Sequence, residues 1–464
     1  VSPVPPATAP TRVRSRAGHI AFIGGSLLAV LTIGWFSLVT QPAALTTSAW
    51  WPAAGVALGL GLRYPRRYVW PLATAVAVIT IVIAVWAGRG APLSALLSLS
   101  TAIEMIIGTV ILRGRRDVLP SLAAPRDIVR LLLAIAVASV VYALLSSGAA
   151  LAVGDPAGAW TRLVTAAPKH GAGMILLAPL FMHLPRRPRQ AGTVETLLQI
   201  TASLAVAVFV FVINGRLPLA FLPFVPLVWA ATRLSTRLLL VQMLAIAVIA
   251  SYGSAYGGGP FAFPRLNPET GSIVLQIFEL SMVIVFLALS LSMGHERDTA
   301  QRLHDSQDLF RKIFDNSVAG KLIIRRQDDG WYVLRSNPSA AAILPELNEG
   351  KVRLRDLLGE RAAQAVCTEA NDLTDTNALV TVTTGRGRIL YISITLISRP
   401  GQDRVLALQF HDITEAARAR RLEQEELERA AEMARALLPW EIPHAPGWSA
   451  AALSVPASQV GGDF

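Results

Sequence analysis

Glu104, Lys169, His170 and Glu279 are ionisable side chains set deep inside otherwise apolar stretches of the chain. A charge held in hydrocarbon is costly, so residues of this kind pair with one another, line a wet cavity, relay protons or hold a ligand. At about 1.5 Å of rise per helical residue, Lys169 and His170 lie about 9 Å below the outer end of their stretch, and Glu279 about 10 Å below that of its own. Similar depth permits an ion pair between them; Glu104 lies deeper, about 18 Å from the outer end of its stretch. Two readings follow: a polar site for a stimulus, or a structural pair that fixes helix packing. The single cysteine, Cys367, cannot form an intrachain disulfide and has no partner for a CxxC redox or metal motif.

The elements that must position these residues are set by composition. Of 464 residues, 53% are hydrophobic and 16% charged, against about 25% charged in ordinary soluble domains. The excess apolar content indicates a membrane protein. Ten apolar runs are long enough for helical passes: His19 to Val39, Ala43 to Leu62, Tyr68 to Ala87, Pro92 to Leu112, Ile128 to Val153, Leu163 to Leu184, Leu197 to Ile213, Leu217 to Ala231, Leu238 to Tyr256 and Ser272 to Met293. The eighth, with Pro218, Pro223 and Pro226, is the shortest.

A net charge of +11 invites a nucleic-acid reading, which its distribution removes. Up to Gly294 there are 21 Lys/Arg against 7 Asp/Glu, net +14, whereas His295 to Phe464 holds 21 against 24, net −3. The basic residues alternate between the gaps. One side receives Arg12, Arg14, Arg16, Arg63, Arg66, Arg67, Arg113, Arg115, Arg116, Arg126, Arg130, Arg186, Arg187, Arg189, Arg233 and Arg237; the other receives Arg89, Arg162, Arg216 and Arg265. Lys and Arg are retained in the cytoplasm, so the N-terminus and everything after Gly294 are expected there. The excess marks inward-facing loops, and no nucleic-acid partner is expected. Residues 1–18, rich in Pro and Ala, read as a disordered tail before a signal-anchor.

Within the apolar part, Trp50, Trp51, Pro52, Ala53, Ala54 and Gly55, followed by the basic turn Arg63 to Arg67, resemble the WPxxG signature of the MASE-type membrane-associated sensor domain of bacterial signalling proteins. Trp51, Pro52 and Gly55 carry the signature. Gly173 to Leu180 (GMILLAPL) and Pro226 to Arg237 with Gly257 to Phe261 are similar to further segments of that family, and Lys169 to Gly171 departs from it where a Gly-Asp pair is expected. The resemblance implies a bacterial inner-membrane sensor over residues 19–294.

After residues 295–306, which read as a linker helix, the pattern turns mixed. Leu309 to Asn316 reads as a short amphipathic helix, Lys321 to Arg325 and Trp331 to Arg335 as strands about a turn at Asp328 to Gly330, and Asn337 to Ile343 as a helix opened by Asn-Pro. Leu390 to Ser398 and Arg404 to Phe410 alternate as strands with one buried face. The layout resembles an α+β PAS domain over residues 307–415, matched at Phe310 to Gly320, Asn337-Pro338 and Asp412-Ile413-Thr414-Glu415. In the exit motif Asp412 can cap a helix while Glu415 reaches back to the cap amide. Cys367 lies outside the motif of a photoactive flavin type, and no histidine between His304 and His411 serves a haem type. The PAS ligand is open, an empty relay and dimerisation pocket being the plain reading.

Residues 416–438 read as a charged signalling helix. Leu427, Ala430, Ala431, Ala434, Leu437 and Leu438 form a seam that a parallel coiled-coil homodimer would use; a solvated single helix is the alternative. A phosphoaccepting histidine is missing from it, since His411 falls on a strand and His444 in a proline-flanked loop, which argues against a histidine kinase. In residues 439–464, the steps Ile442-Pro443, Pro446-Gly447, Pro456-Ala457 and Val460 to Phe464, after Ala436 to Pro439, resemble the start of the PPM-type α/β-sandwich serine phosphatase domain of the sporulation and sigma-factor-regulating family. A diguanylate cyclase would place its GGDEF hairpin farther from the helix and follow the aspartate with Glu. The phosphatase resemblance implies that Asp463 is a ligand of a Mn or Mg pair, with Gly462 letting the backbone approach the metals. A metal pair suits phosphoserine hydrolysis because it activates a water and clamps the phosphoryl oxygens. The implied substrate partner is a phosphoserine anti-sigma-factor antagonist. The remaining ligands are not in this sequence, so the 464-residue chain is expected to be inactive as a phosphatase. The rival of a different class is a non-catalytic membrane binding or transport module.

Overall fold

The computed structural model describes residues 15–41, 50–115, 117–185, 190–214, 217–262, 267–349, 352–372, 377–398, 403–437 and 446–448. The chain divides into two units, Val1–Ala300 and Gln301–Phe464.

Ten helices begin within the first unit among the described residues: α1 (Arg16–Val39), α2 (Ala53–Arg63), α3 (Val69–Trp86), α4 (Ala91–Arg113), α5 (Pro125–Ala152), α6 (Pro156–Phe181), α7 (Thr193–Val208, continued as a π-turn over Phe209–Ile213), α8 (Phe224–Arg233), α9 (Thr236–Ala255) and α10 (Pro268–Asp315). α1 starts at Arg16, capped by the Ser15 hydroxyl, which accepts from the Gly18 amide at 3.2 Å. The helix therefore takes in the last residues of the expected tail; residues 1–14 lie outside the described ones.

Among the described residues, seven helices are long and apolar enough to cross a membrane, the makings of a multi-pass membrane protein. Ten passes were expected. The difference lies in α2, α6 and α8. α6 has 26 residues but carries Arg162, Lys169 and His170. α2 has 11 residues and α8 has 10, too few at about 1.5 Å per residue to cross about 30 Å of hydrocarbon. The apolarity of the α2 stretch reflects burial in protein: Ala53 to Leu62 are all buried, with α1, α3, α4 and α6 packed around them.

The basic turns close the helix ends. Arg113, itself buried, donates from Nη1 to the Leu62 carbonyl at 2.6 Å and from Nε to Asp117 Oδ1 at 2.6 Å, while Asp117 accepts from the Arg66 amide at 3.0 Å. Arg66 reaches the Val110 carbonyl at 2.7 Å, Arg130 the Ile111 carbonyl at 3.1 Å, and Arg297 the Thr232 carbonyl at 2.8 Å. The arginines that charge bias would retain on one side thus also bond carbonyls in the last turns of α2, α4 and α8. Desolvation pushes the Asp117 carboxyl up, but the bonds from Arg113 and the Arg66 amide, with both cationic charges, outweigh it and hold the group below the usual carboxylate range. Farther along, a reciprocal amide pair joins α7 to α9: Gln242 Nε2 donates to Gln199 Oε1 at 2.6 Å, and Gln199 Nε2 to the Pro226 carbonyl of α8 at 2.9 Å.

The second unit holds a five-stranded antiparallel sheet of β1 (Gly320–Gln327), β2 (Gly330–Ser336), β3 (Ala378–Thr383), β4 (Ile389–Leu396) and β5 (Val405–Asp412), in the order β2-β1-β5-β4-β3. Between β2 and β3 lie α11 (Pro338–Ile343), α12 (Leu354–Leu358) and α13 (Glu360–Asp372). Leu322, Ile324, Ile392, Leu408 and Phe410 from the strands meet Leu357, Leu358 and Val366 from the helices in one core. The hairpin and the Asn-Pro helix stand where the sequence pattern placed them. The separate helix expected at Leu309 to Asn316 does not form: those residues up to Asp315 are the last turns of α10, as is the expected linker. Asn337 anchors this unit. Its Nδ2 donates to the carbonyls of Phe314 at 3.1 Å and Ala319 at 2.9 Å, and its Oδ1 accepts from the amides of Lys321 and Ala340, both at 2.8 Å.

α14 (Thr414–Leu437) follows β5. Asp412 accepts from the Thr414 amide at 3.0 Å and from the Thr414 hydroxyl, and its other oxygen takes Arg388 Nη1 at 2.8 Å. The Thr414 hydroxyl oxygen accepts in turn from the Ile389 amide at 2.9 Å. The cap therefore differs from the expected box with Glu415, because Asp412 still belongs to the sheet, opposite Leu390. Burial opposes ionisation of Asp412, but the Thr414 and Arg388 bonds prevail and lower its carboxyl below the usual range. On α14, Leu427 is 42% exposed within the chain.

Candidate functional site

One group of polar residues in the first unit, around Glu104 and His170, is brought together by α2, α4, α5 and α6. Gly55, near the start of α2, faces Gly173 of α6. A Cβ on Gly55 would collide with the Gly173 carbonyl oxygen and approach Leu177 Cβ at 2.8 Å; one on Gly173 would meet Pro52 Cα at 2.9 Å. The two bare backbones let α2 and α6 touch, and that contact carries Trp51 to the side of α6 where His170 stands. The signature residues Trp51, Pro52 and Gly55 thus form a packing joint beside the polar cluster.

His170 Nδ1 lies 2.8 Å from Glu104 Oε2 on α4, and both side chains are buried. The other Glu104 oxygen has no partner among the described residues. Two rings lie near-parallel to the imidazole: Tyr142 of α5 stacks at 3.6 Å between centroids and 22°, and Trp51 stands at 6.2 Å and 20°. This fixes the plane of His170, so its second nitrogen has a defined direction. Lys169, one residue earlier, donates to the Thr165 hydroxyl at 3.3 Å. A cavity of about 70 Å³ opens beside these groups, lined by Trp51, Arg89, Tyr142, Arg162, Lys169 and His170 among others.

Glu279 is not part of this cluster. Buried on α10, it accepts from the Ser251 hydroxyl of α9 at 2.8 Å, and its second oxygen has no partner among the described residues. The expected pair with Lys169 or His170 is replaced by Glu104–His170 and Glu279–Ser251. The reason the expectation fails is direction rather than depth. α6 begins at Pro156, so Lys169 lies about 20 Å from its start, and Glu279 about 16 Å from the start of α10. The depths are comparable, yet depth does not specify the direction in which a side chain leaves its helix or the helix it meets.

The sequence reading missed Arg89, Arg162 and Tyr142. A signal for the arginines was present, since they are two of only four arginines in the basic-poor set of gaps. Asp463 and Gly462 lie outside the described residues. Among the described residues no group of three or more His, Cys, Asp or Glu side chains is placed to hold a metal ion.

No curated protein matches the chain. The MASE1 family model matches residues 20–296, more than half of the chain. With seven apolar helices among the described residues, a short buried helix after the Trp-Pro pair and its glycine joint to α6, the chain belongs to the MASE1 family, a membrane sensor domain of signalling proteins.

Proposed function

We propose that the protein is the sensory and transmission part of a membrane-bound signalling protein, with the stimulus registered at the Glu104–His170 cluster. The observation that carries this reading is a buried, ring-stacked acid–imidazole pair beside a cavity lined by polar side chains, inside a domain of a sensor family. α10 continues without a break from Pro268 to Asp315, and the reading makes it the transmission rod. The antiparallel sheet with short helices after the Asn-Pro step supports a PAS domain as the receiver, with α14 pairing as a coiled coil in a homodimer. Charge bias supports a cytoplasmic location for the receiver.

The output in this proposal is a PPM-type serine phosphatase that acts on a phosphoserine anti-sigma-factor antagonist, supported by the motif steps from Ala436 to Phe464. Asp463 would be one carboxylate ligand of the Mn or Mg pair, which would supply an activated water for phosphoester hydrolysis.

Cys367, the single thiol, reports on the sheet unit. Burial pushes its pKa up, so a shift in packing changes its reactivity. Labelling by a thiol reagent in membranes should differ severalfold between the wild type and Glu104→Gln or His170→Gln. Equal rates in all three would overturn the sensor reading. For the output, the chain fused after Phe464 to the remainder of a PPM-type phosphatase domain should release phosphate from a phosphoserine protein with manganese, at a rate that Glu104→Gln changes. A fusion that is active but indifferent to Glu104 would refute this coupling.

A further inference from the structure

We infer that the cavity beside His170 binds a compact oxyanion, a carboxylate or phosphate, through Arg162 and Arg89. The inference rests on reading the cavity as the sensing site and names the class of its ligand. Arg162 is 9% exposed, lines the cavity, and its Nε has no partner among the described residues. Arg89, from the turn between α3 and α4, reaches the same cavity and spends one Nη2 bond on neutral Gln41 at 3.2 Å.

The nearest described carboxylates make their bonds to other groups: Glu104 Oε2 to His170 Nδ1 at 2.8 Å, and Asp155 Oδ1 to the Gly158 amide at 2.8 Å. The cavity is left with two guanidinium groups that no described carboxylate neutralises. Isolated buried charge is strongly unfavourable unless a counter-charge joins it. A guanidinium fork is matched to carboxylate and phosphate geometry, where two parallel bonds form. Size narrows the class: about 70 Å³ is less than half of the roughly 150 Å³ cavity that holds benzene. The ligand part inside is therefore a headgroup-sized anion rather than an extended molecule. Snorkelling toward lipid headgroups, the usual fate of a lone arginine near a helix end, does not describe Arg162, whose side chain is turned inside the bundle.

The full chain, purified in dodecyl maltoside free of lipid, is titrated at constant ionic strength with sodium acetate, sodium succinate or sodium phosphate against sodium chloride, and separately with phosphatidic acid. At least one oxyanion should raise Tm saturably. Arg162→Gln should weaken the fitted Kd by about tenfold or more, as expected for a lost charge-assisted bond, and Arg162→Lys by less, whereas Glu279→Gln should bind as the wild type does. Should Arg162→Gln not be recovered folded, Arg89→Gln carries the test. A response to phosphatidic acid alone identifies the oxyanion as a lipid headgroup and supports the site. No saturable shift with any of the four, or a shift that both arginine variants retain, overturns it. Binding without a change in Cys367 labelling refutes the sensor reading and leaves the anion site standing. Altered labelling in Glu104→Gln without any anion binding does the reverse.

Discussion

The glycine joint between α2 and α6 allows a test in which sign as well as size is dictated by geometry. In Gly173→Ala the new Cβ would lie 2.9 Å from Pro52 Cα and closer still to the Trp51 carbonyl oxygen. Ordinary contact begins near 3.4 Å, so the backbones must separate by at least half an ångström. Both obstacles are backbone atoms that cannot rotate aside. Overpacking of this kind costs about 1–3 kcal/mol, and rigid obstacles place it at the upper end. Alanine's helix propensity returns up to about 1 kcal/mol, leaving a net loss of about 2 kcal/mol. Gly55→Ala should behave alike, because its Cβ meets the Gly173 carbonyl and Leu177 Cβ. Gly24→Ala in α1 and Gly148→Ala in α5 are the controls: nothing lies within 4 Å of either new Cβ, so only the propensity gain remains and stability should rise by up to about 1 kcal/mol. The assay is reversible denaturation of the full chain in mixed micelles, followed by far-UV circular dichroism. A destabilisation at Gly55 and Gly173 no larger than at the two controls would refute the joint.

Other perturbations follow from the same structure. Asp117 has a carboxyl held below its unfolded value, so its contribution is present above the unfolded pKa of about 3.9 and is lost as pH falls through the lower folded value. The Tm gap between wild type and Asp117→Asn should therefore be constant above about pH 5 and close in acid; a gap that widens in acid would contradict the assignment. Asn337→Ala leaves two carbonyls and two amides without their side-chain partner and should lower the opening free energy of β1 and α11 by about 2–4 kcal/mol, read by amide hydrogen exchange. Asp412→Ala removes the Thr414 cap and the Arg388 bond, and faster exchange at the start of α14, worth about 1 kcal/mol, is expected with the sheet core unchanged.

Much of this architecture is legible in residue types and their order. Runs of apolar residues mark the helices, Asp328 to Gly330 marks the β1–β2 turn, and Asn337-Pro338 marks the start of α11, because hydropathy and turn chemistry act over a few neighbouring residues. β3 escaped notice although Ala378 to Thr383 is rich in β-branched residues, as did α12 and α13. The Trp-Pro-x-x-Gly signature was visible as letters, and its physical content, a contact between Gly55 and Gly173, was not.

Depth along a helix can be read from sequence, since each residue adds a fixed rise. The partner across the bundle cannot, since it depends on how each helix is rotated and which helix it packs against. That is why His170 met Glu104 and Glu279 met Ser251, and why Ala53–Arg63, within the second apolar run, is an 11-residue helix covered by protein. Apolar composition states only that a segment avoids water; the tertiary structure decides whether lipid or protein covers it. Likewise, the sequence by itself determined that Arg89 and Arg162 stand apart from the basic majority, and only packing brought them from a turn and from α6 to one cavity.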